Sequence, residues 1–417
     1  MKASSPPLGT TNSTVNPPLQ IDPIQLEKQY GAANYDPLPV VLTRGQGVYL
    51  WDTGGKRYID MMSAYSAVSH GHCHPRLVKA LMTQAQHLAI CSRAFHSDKL
   101  GIFLQRVCDL TAMDCALPMN TGVEAVETAL KAARKWAYTV KQVSADHAEI
   151  IVCEGNFHGR TTTVVGMSSK PQYRFGFGPF APGFKVIPYG DLAALAAAIT
   201  PNTAAFMVEP IQGERGIIVP PEGYLKKAAE LCQQHNVLLI LDEIQTGLGR
   251  TGRFLACEHE QVIPDGLILG KALGGGVYPV SLFLGKRELM AVFTAGDHGS
   301  TFGGNPLAAA VALEALAVLF EEDLIQRSAE LGAYLHQGLA SLKTPAIKEI
   351  RGKGLFVGVE LDPLYADGRE TCLRLLDEGI LSYETHKTVI RFAPPLVINQ
   401  AQLDQAIQSF GQVLATY

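Results

Sequence analysis

The chain has no block of basic residues, no Cys-x-x-Cys pair and no unbroken apolar run of membrane-spanning length. Each absence removes a class of function. Lys and Arg number 35 against 39 Asp and Glu, a formal charge of −4. Proteins that hold nucleic acid or anionic lipid gather positive charge on one surface, so neither is an expected partner. The longest apolar stretch, residues 192–208, is broken by Pro201 and Asn202. It falls short of the roughly 20 residues that cross a bilayer as a helix, so no membrane association is expected. The eight cysteines are scattered, and 417 residues supply enough interior to fold without disulfide staples. Reduced thiols in a cytoplasmic setting are the expectation. No apolar stretch follows Lys2, so the first residues do not read as a secretory signal. Ser, Thr, Asn and Pro dominate residues 1–20 and predict a flexible tail.

What is present is an ordinary globular composition, 47% apolar and 18% charged, in a chain too long for one core. Strand-like pieces at residues 48–51 and 57–61 flank the turn Asp52-Thr53-Gly54-Gly55. Beyond His74 helices and buried strands alternate. Pro75 sits where a first helical turn accepts proline, and residues 123–143 read as a long amphipathic helix. Short apolar runs at 150–153, 204–208, 237–241 and 267–269 lack alternation, as strands covered on both faces do. The fold class is therefore α/β, with a mostly parallel sheet in a large domain. A helix over 306–320 bridges to a smaller α+β domain. The predicted division is a tail at 1–20, an N-terminal segment at 21–72, a large domain at 73–305 and a C-terminal domain at 306–417.

Open parallel sheets place their chemistry beyond the carboxyl ends of the strands. Two charged residues stand at such ends: Asp242 after Val237-Leu238-Leu239-Ile240-Leu241, and Lys271 after Leu267-Ile268-Leu269-Gly270. A carboxylate there needs a cationic partner, and a lysine there tends to lose its proton and become a nucleophile for carbonyl carbon. Pyridoxal phosphate uses both, its aldehyde taking the lysine and its ring nitrogen the aspartate. A plain ion pair reads equally well from these two residues alone. The segment Asn120-Thr121-Gly122-Val123-Glu124-Ala125 adds a phosphate-type site, because free amides open the long helix there. An ordinary capped helix is the alternative at that point.

Three patterns carry less. Gly247-Leu248-Gly249-Arg250-Thr251-Gly252 matches G-x-G-x-x-G but starts several residues after its strand and leads into no clear helix. Gly266 to Lys271 is one residue too short for a Walker loop and has Ala272 where Ser or Thr must hold magnesium. His70-Gly71-His72-Cys73-His74 lacks a nearby acidic or second thiol ligand, so loop packing is expected and no metal site.

The run Leu241-Asp242-Glu243-Ile244-Gln245-Thr246-Gly247, then Gly249-Arg250-Thr251-Gly252 and Gly270-Lys271-Ala272, resembles the class III pyridoxal-phosphate aminotransferases of fold type I. The likeness is closer still to the ornithine δ-aminotransferases. It extends through Pro118-Met119-Asn120-Thr121-Gly122, Gly155-Asn156-Phe157-His158-Gly159-Arg160, Val208-Glu209-Pro210-Ile211-Gln212-Gly213-Glu214 and His298-Gly299-Ser300-Thr301-Phe302. It covers the chain from about residue 25 to the end.

The resemblance implies roles. Lys271 would hold the cofactor and move the proton between substrate and cofactor carbons, and Asp242 would keep the ring nitrogen protonated. Gln245 would donate to the ring's phenolic oxygen, with Phe157 and Ile244 sandwiching the ring. Thr121, Gly122 and Val123 would hold the phosphate. Ser300 and Thr301 would reach it from the second subunit of a homodimer. Arg160 would grip the α-carboxylate of L-ornithine, Arg391 that of 2-oxoglutarate, and Glu214 would neutralise Arg391 while ornithine is bound. Tyr35 would meet the α-amino group and Tyr65 would bound the pocket. His158 departs from the tryptophan of the ornithine enzymes, and a titratable ring there is expected to change cofactor stacking or the pH profile. Rival readings are N-acetylornithine, lysine or 4-aminobutyrate as donor, or a protein that binds the cofactor without turnover.

Overall fold

A computed structural model describes residues 22–417. The tail expected at 1–20 lies outside the described residues. The large sheet has seven strands in the order Cys115–Met119, Ser281–Gly285, Gly266–Leu269, Leu238–Asp242, Thr203–Val208, Glu149–Cys153 and Phe184–Ile187. Ser281–Gly285 runs antiparallel to both neighbours, and the other pairings are parallel. The central strands Thr203–Val208 and Leu238–Asp242 are buried at every residue. That burial is why their sequence shows no alternation.

Helix Gly122–Thr139 lies on one face of this sheet. Thr121 accepts from the Glu124 amide while the Glu124 side chain reaches back, closing a capping box. Its small residues Ala125, Ala129, Ala132 and Ala133 are fully buried and let the helix axis come close to the sheet. Helix Pro306–Glu321 begins with proline after an Asn305 cap whose side chain accepts from the Ala308 amide at 2.8 Å. Pro306, Leu307, Ala308, Ala309, Val311, Ala312, Ala315 and Leu316 of this helix are all buried, as in a helix covered on nearly every side.

Two smaller sheets complete the described residues. Ile347–Lys353, Phe356–Leu361, Val389–Phe392 and Tyr383–Thr385 form one. Leu42–Gln46, Tyr49–Asp52 and Arg57–Asp60 form the other, and Ile380–Leu381 adds to its edge beside Arg57–Asp60 in parallel. The N-terminal segment is thus bonded to the C-terminal part of the chain and not to the large sheet. The strand at 48–51 was expected one residue too early, and Cys115–Met119, Phe184–Ile187 and Ser281–Gly285 of the large sheet went unread.

The helix Leu324–Ala340 meets the large domain through glycines. A Cβ on Gly332 would lie 2.1 Å from the carbonyl carbon of Gly354, whose own Cβ would lie 2.4 Å from that of Thr251. Backbone touches backbone at both points, so nothing flexible can yield. Gly332→Ala is therefore expected to destabilise the fold by about 2 kcal/mol or more, read as a lower denaturant midpoint. A midpoint equal to that of the parent chain would contradict this packing.

Candidate active site

The carboxyl ends of the central strands deliver Asp242 and Lys271 to one buried cavity of about 190 Å³. Gly122, Val123, Phe157, His158, Glu209, Ile244 and Gln245 also line it. Lys271 has a φ of +46°, a conformation that non-glycine residues adopt only when the surroundings enforce it. Burial pushes its amine below the ordinary lysine value, although the charges of Glu214 and Asp242 pull the other way.

Asp242 is 4% exposed and both its oxygens are engaged. Oδ1 accepts the Ile244 amide at 3.1 Å, and Oδ2 lies 2.7 Å from His158 Nδ1. Burial alone would lower the His158 imidazole. The hydrogen bond and charge of Asp242, with the charge of Glu209, outweigh it and raise the imidazole above its ordinary value. The residue that departs from the ornithine-enzyme pattern thus acts on the aspartate, and its ring has no exposed face. Its Nε2 has no hydrogen-bond partner among the described residues.

Glu209 had no assigned role in the sequence and is the residue that reasoning missed. It directly follows the run 204–208. Its Oε1 accepts the Phe157 amide at 2.9 Å. Burial, with the charge of Asp242, pushes its carboxyl up to about 7 against the pull of His158. The available signal was its place at a buried strand's carboxyl end, the same one that pointed to Asp242.

At the start of helix Gly122–Thr139 the Glu124 carboxylate takes the amides of Asn120 and Thr121 at 3.0 and 2.7 Å. The Gly122 and Val123 amides are left at the helix mouth without a partner among the described residues. A Cβ on Gly122 would lie 2.9 Å from Ile244 Cδ1, so glycine keeps that mouth open beside the cavity. Gln245 rests on Gly213, where a Cβ would fall 1.6 Å from its Oε1, and its amide donates to the Tyr65 carbonyl at 3.4 Å.

The carboxylate-binding candidates lie around this cavity. Arg391 Nη1 donates to Glu214 Oε1 at 2.8 Å, and its guanidinium sits 4.9 Å from the Tyr65 ring centre. Arg391 Nε is buried with no partner among the described residues. Burial would raise Glu214, but the charges of Arg391 and Lys271 hold it below the ordinary carboxylate value. Arg160 is stacked 3.8 Å above the Tyr173 ring and 5.3 Å from that of Phe157. Three candidates lie apart from this group. Tyr35 is 74% exposed, although close enough to Tyr65 to influence its titration. Ser300 Oγ is held by its own chain's Asn120 Nδ2 at 2.8 Å, and Thr301 is exposed. The three imidazoles of the His70–His74 cluster diverge: His70 contacts the Ala315 carbonyl, His72 pairs with Asp60 and His74 with Glu322.

A depressed lysine and a buried carboxylate share one cavity at the switch of a parallel sheet, beside open helix amides. That combination defines an amine-transferring enzyme of the pyridoxal phosphate type, and it fits the group on three counts. The cavity offers a carboxylate for a ring nitrogen, an amine for an aldehyde, and unpaired amides for a phosphate. Residues 30–414 match the aminotransferase class-III family, and the chain belongs to it. Ornithine aminotransferase of Geobacillus sp. (strain WCH70) is 59% identical over 392 residues, which cover 94% of this chain and 98% of that one. The crystal structure of ornithine aminotransferase from Toxoplasma gondii ME49 superposes with a TM-score of 0.93 at 47% identity, covering 94% of both chains. Another structure of that enzyme has pyridoxal phosphate at partial occupancy in its active site. Acetylornithine aminotransferase from Elizabethkingia anophelis matches with a TM-score of 0.86 at 48% identity, covering 94% of this chain and 98% of that one. This chain is a pyridoxal-phosphate-dependent transaminase of fold type I.

Glu209 gives a stability test. A carboxyl raised in the folded state favours folding below its unfolded value, near 4.5, and that contribution is lost as pH rises through about 7. Glu209→Gln should therefore gain relative to the parent chain as pH rises from 5 to 8, by on the order of 3 kcal/mol at most. Thermal midpoints of both proteins at the two pH values measure it. A pH-independent difference would show that Glu209 titrates normally.

Proposed function

We propose that this transaminase moves the δ-amino group of L-ornithine to 2-oxoglutarate, releasing glutamate 5-semialdehyde, which cyclises, and glutamate. The observation that carries this reading is the Glu214–Arg391 pair, in which the arginine is buried and its Nε has no partner among the described residues. A diamino acid must enter by its distal end, which leaves no carboxylate for Arg391. Glu214 neutralises the arginine in that half of the cycle. A dicarboxylate arriving in the other half displaces Glu214 and takes the fork from both nitrogens.

The residues then divide the work. Arg160 binds the α-carboxylate of ornithine and the distal carboxylate of 2-oxoglutarate, held in place by its stack on Tyr173 and Phe157. Tyr35 meets the α-amino group and Tyr65 closes the pocket. Lys271 Nζ, whose amine burial holds below the ordinary lysine value, would accept the substrate proton and return it. Asp242 would supply negative charge to the ring nitrogen, Gln245 would donate to the phenolic oxygen, and Gly122 and Val123 would hold the phosphate. Phe157 and Ile244 cover the ring. When bound, pyridoxal phosphate supplies the electron sink that lets a carbon next to nitrogen lose its proton.

The reading includes a homodimer. Residues 88–100 and 302–307 lie together: the Leu307 amide donates to the Ala89 carbonyl, and Gly304 abuts Arg93 and Leu100. Around this contact Ile90, Phe95, Ile102 and Phe302 are exposed apolar side chains. A second copy covering them brings its Ser300 and Thr301 towards the phosphate site. Phe302→Glu should therefore convert a dimer to a monomer by light scattering and lose most activity. A monomeric variant with full turnover would separate the site from any partner. None of the described helices is long and apolar enough to cross a membrane, and all eight cysteines are free, which supports a cytoplasmic enzyme.

N-acetylornithine is the rival donor, favoured by the acetylornithine aminotransferase neighbour. Purified holoenzyme with 2-oxoglutarate should form the cyclised semialdehyde from L-ornithine far faster than glutamate from N-acetylornithine or 4-aminobutyrate. Tyr35→Phe should cut ornithine use about tenfold, on the order of one hydrogen bond to a charged group, and leave 4-aminobutyrate use nearly unchanged. Equal losses with both amines would remove Tyr35 from ornithine recognition.

A further inference from the structure

Four consecutive non-glycine residues stand in the left-handed region: Ser63, Ala64, Tyr65 and Ser66, with φ of 44°, 47°, 60° and 72°. L-residues visit that region singly and at a cost, so a run of four persists only where its surroundings enforce it. Tyr65 is in this run, and its carbonyl and ring face Gln245 and Arg391. Asp60 grips the entry, with Oδ1 accepting the Met62 and Ser63 amides at 2.8 Å each. The remaining restraint comes from the G-x-G-x-x-G segment that carries no dinucleotide chemistry here.

Gly249 and Gly252 both have positive φ, of 88° and 84°, and at Gly252 a Cβ would lie 2.9 Å from Ala329 Cα. This turn drives Arg250 into the interior, where it is 0% exposed. Arg250 forms no ion pair among the described residues. Its donors serve neutral oxygens instead. Nη1 donates to the Leu355 carbonyl at 2.9 Å and the Pro394 carbonyl at 2.6 Å. Nη2 donates to Ser63 Oγ at 3.2 Å and Ser69 Oγ at 2.8 Å. Each serine passes the restraint on: Ser63 Oγ donates to the Ala393 carbonyl at 2.6 Å and Ser69 Oγ to the Ser66 carbonyl at 3.0 Å. Both ends of the left-handed run therefore hang from one guanidinium. The same guanidinium holds Pro394, three residues after Arg391 on the chain that leaves strand Val389–Phe392. A buried cation without a carboxylate is costly, and here its fork is spent on fixing backbone from three parts of the chain.

We propose that Arg250, acting through Ser63 and Ser69, is a positioning residue that sets donor specificity by holding the strained Tyr65 turn against Arg391. This rests on the reading of Tyr65 as a wall of the substrate pocket. Released from the tether, the run would relax to ordinary backbone and carry the Tyr65 ring off the arginine. The candidate cofactor contacts of Asp242, Lys271, Gly122 and Val123 would stay, whereas Gln245, whose amide donates to the Tyr65 carbonyl, would lose that anchor.

The test compares Ser63→Ala and Arg250→Lys holoenzymes with the parent. Ser63→Ala removes one hydroxyl from the tether and keeps the buried cation, so it covers the case in which Arg250→Lys fails to fold. The expected result is a KM for the amine donor raised about tenfold, with a fall in the ratio of ornithine to 4-aminobutyrate use. Turnover at saturating donor should stay within about twofold. Amide exchange of Ser66, Ala67 and Val68, whose bonds close the turn, should quicken more than that of the large sheet. This last readout needs no donor, so it separates failure of the tether from failure of the ornithine assignment. A lowered thermal midpoint with donor KM, specificity ratio and local exchange all unchanged would make Arg250 merely structural and overturn the proposal.

Discussion

A carboxylate cannot stay ionised inside a protein unless something nearby stabilises its charge, and Asp242 at the mouth of a fully buried strand is the carboxylate on which this structure turns. His158 answers it through Nδ1, and the Ile244 amide answers its other oxygen. Around this pair the protein gathers Glu209, Glu214, Lys271 and Arg391, close enough that each alters the titration of another. A cavity so arranged is poorly solvated, and its charges act at full strength on whatever enters. The depressed lysine and the raised Glu209 carboxyl are two consequences of the same desolvation, with opposite signs because the charged forms are opposite.

The scaffold around these charges works by close approach. Gly122 lets Ile244 lie against the helix mouth, and Gly213 receives the Gln245 side chain. Gly332 lets the helix Leu324–Ala340 touch the backbone of Gly354, and Gly354 lets the loop before Phe356–Leu361 touch the backbone of Thr251 and Gly252. Those contacts fix where Val389–Phe392, and with it Arg391, stands relative to the central sheet. Arg250 joins the same parts from the inside. Cofactor-side groups thus come from one sheet, and substrate-side groups from loops and from a second sheet tied to it.

Chemistry at a strand end reads well from sequence because two local signals coincide there. A continuous apolar run identifies a buried strand, and a charged residue following it must be functional or paired. Asp242 and Lys271 were found that way, and the capped glycine at residues 121–122 by the preference of helix starts. Strands Cys115–Met119, Phe184–Ile187 and Ser281–Gly285 escaped because they owe their place to pairing with neighbours, which no local pattern encodes. Glu209 carried the same signal as Asp242, a charged residue directly after a buried run, and was given no role.

By itself the sequence determined the α/β class, the mostly parallel sheet and the motif series that carried the family resemblance, and it singled out Lys271 and Asp242 as candidates. All of these depend on residue type and spacing within a few turns or strands of chain. Only the tertiary structure decided that His158 serves Asp242, that Glu214 sits on Arg391, and that a glycine-rich segment resembling a nucleotide loop drives an arginine under the Tyr65 turn. Each of those joins residues 84 to 187 positions apart. Their pairing follows from how the layers pack, and packing is a property of the whole chain.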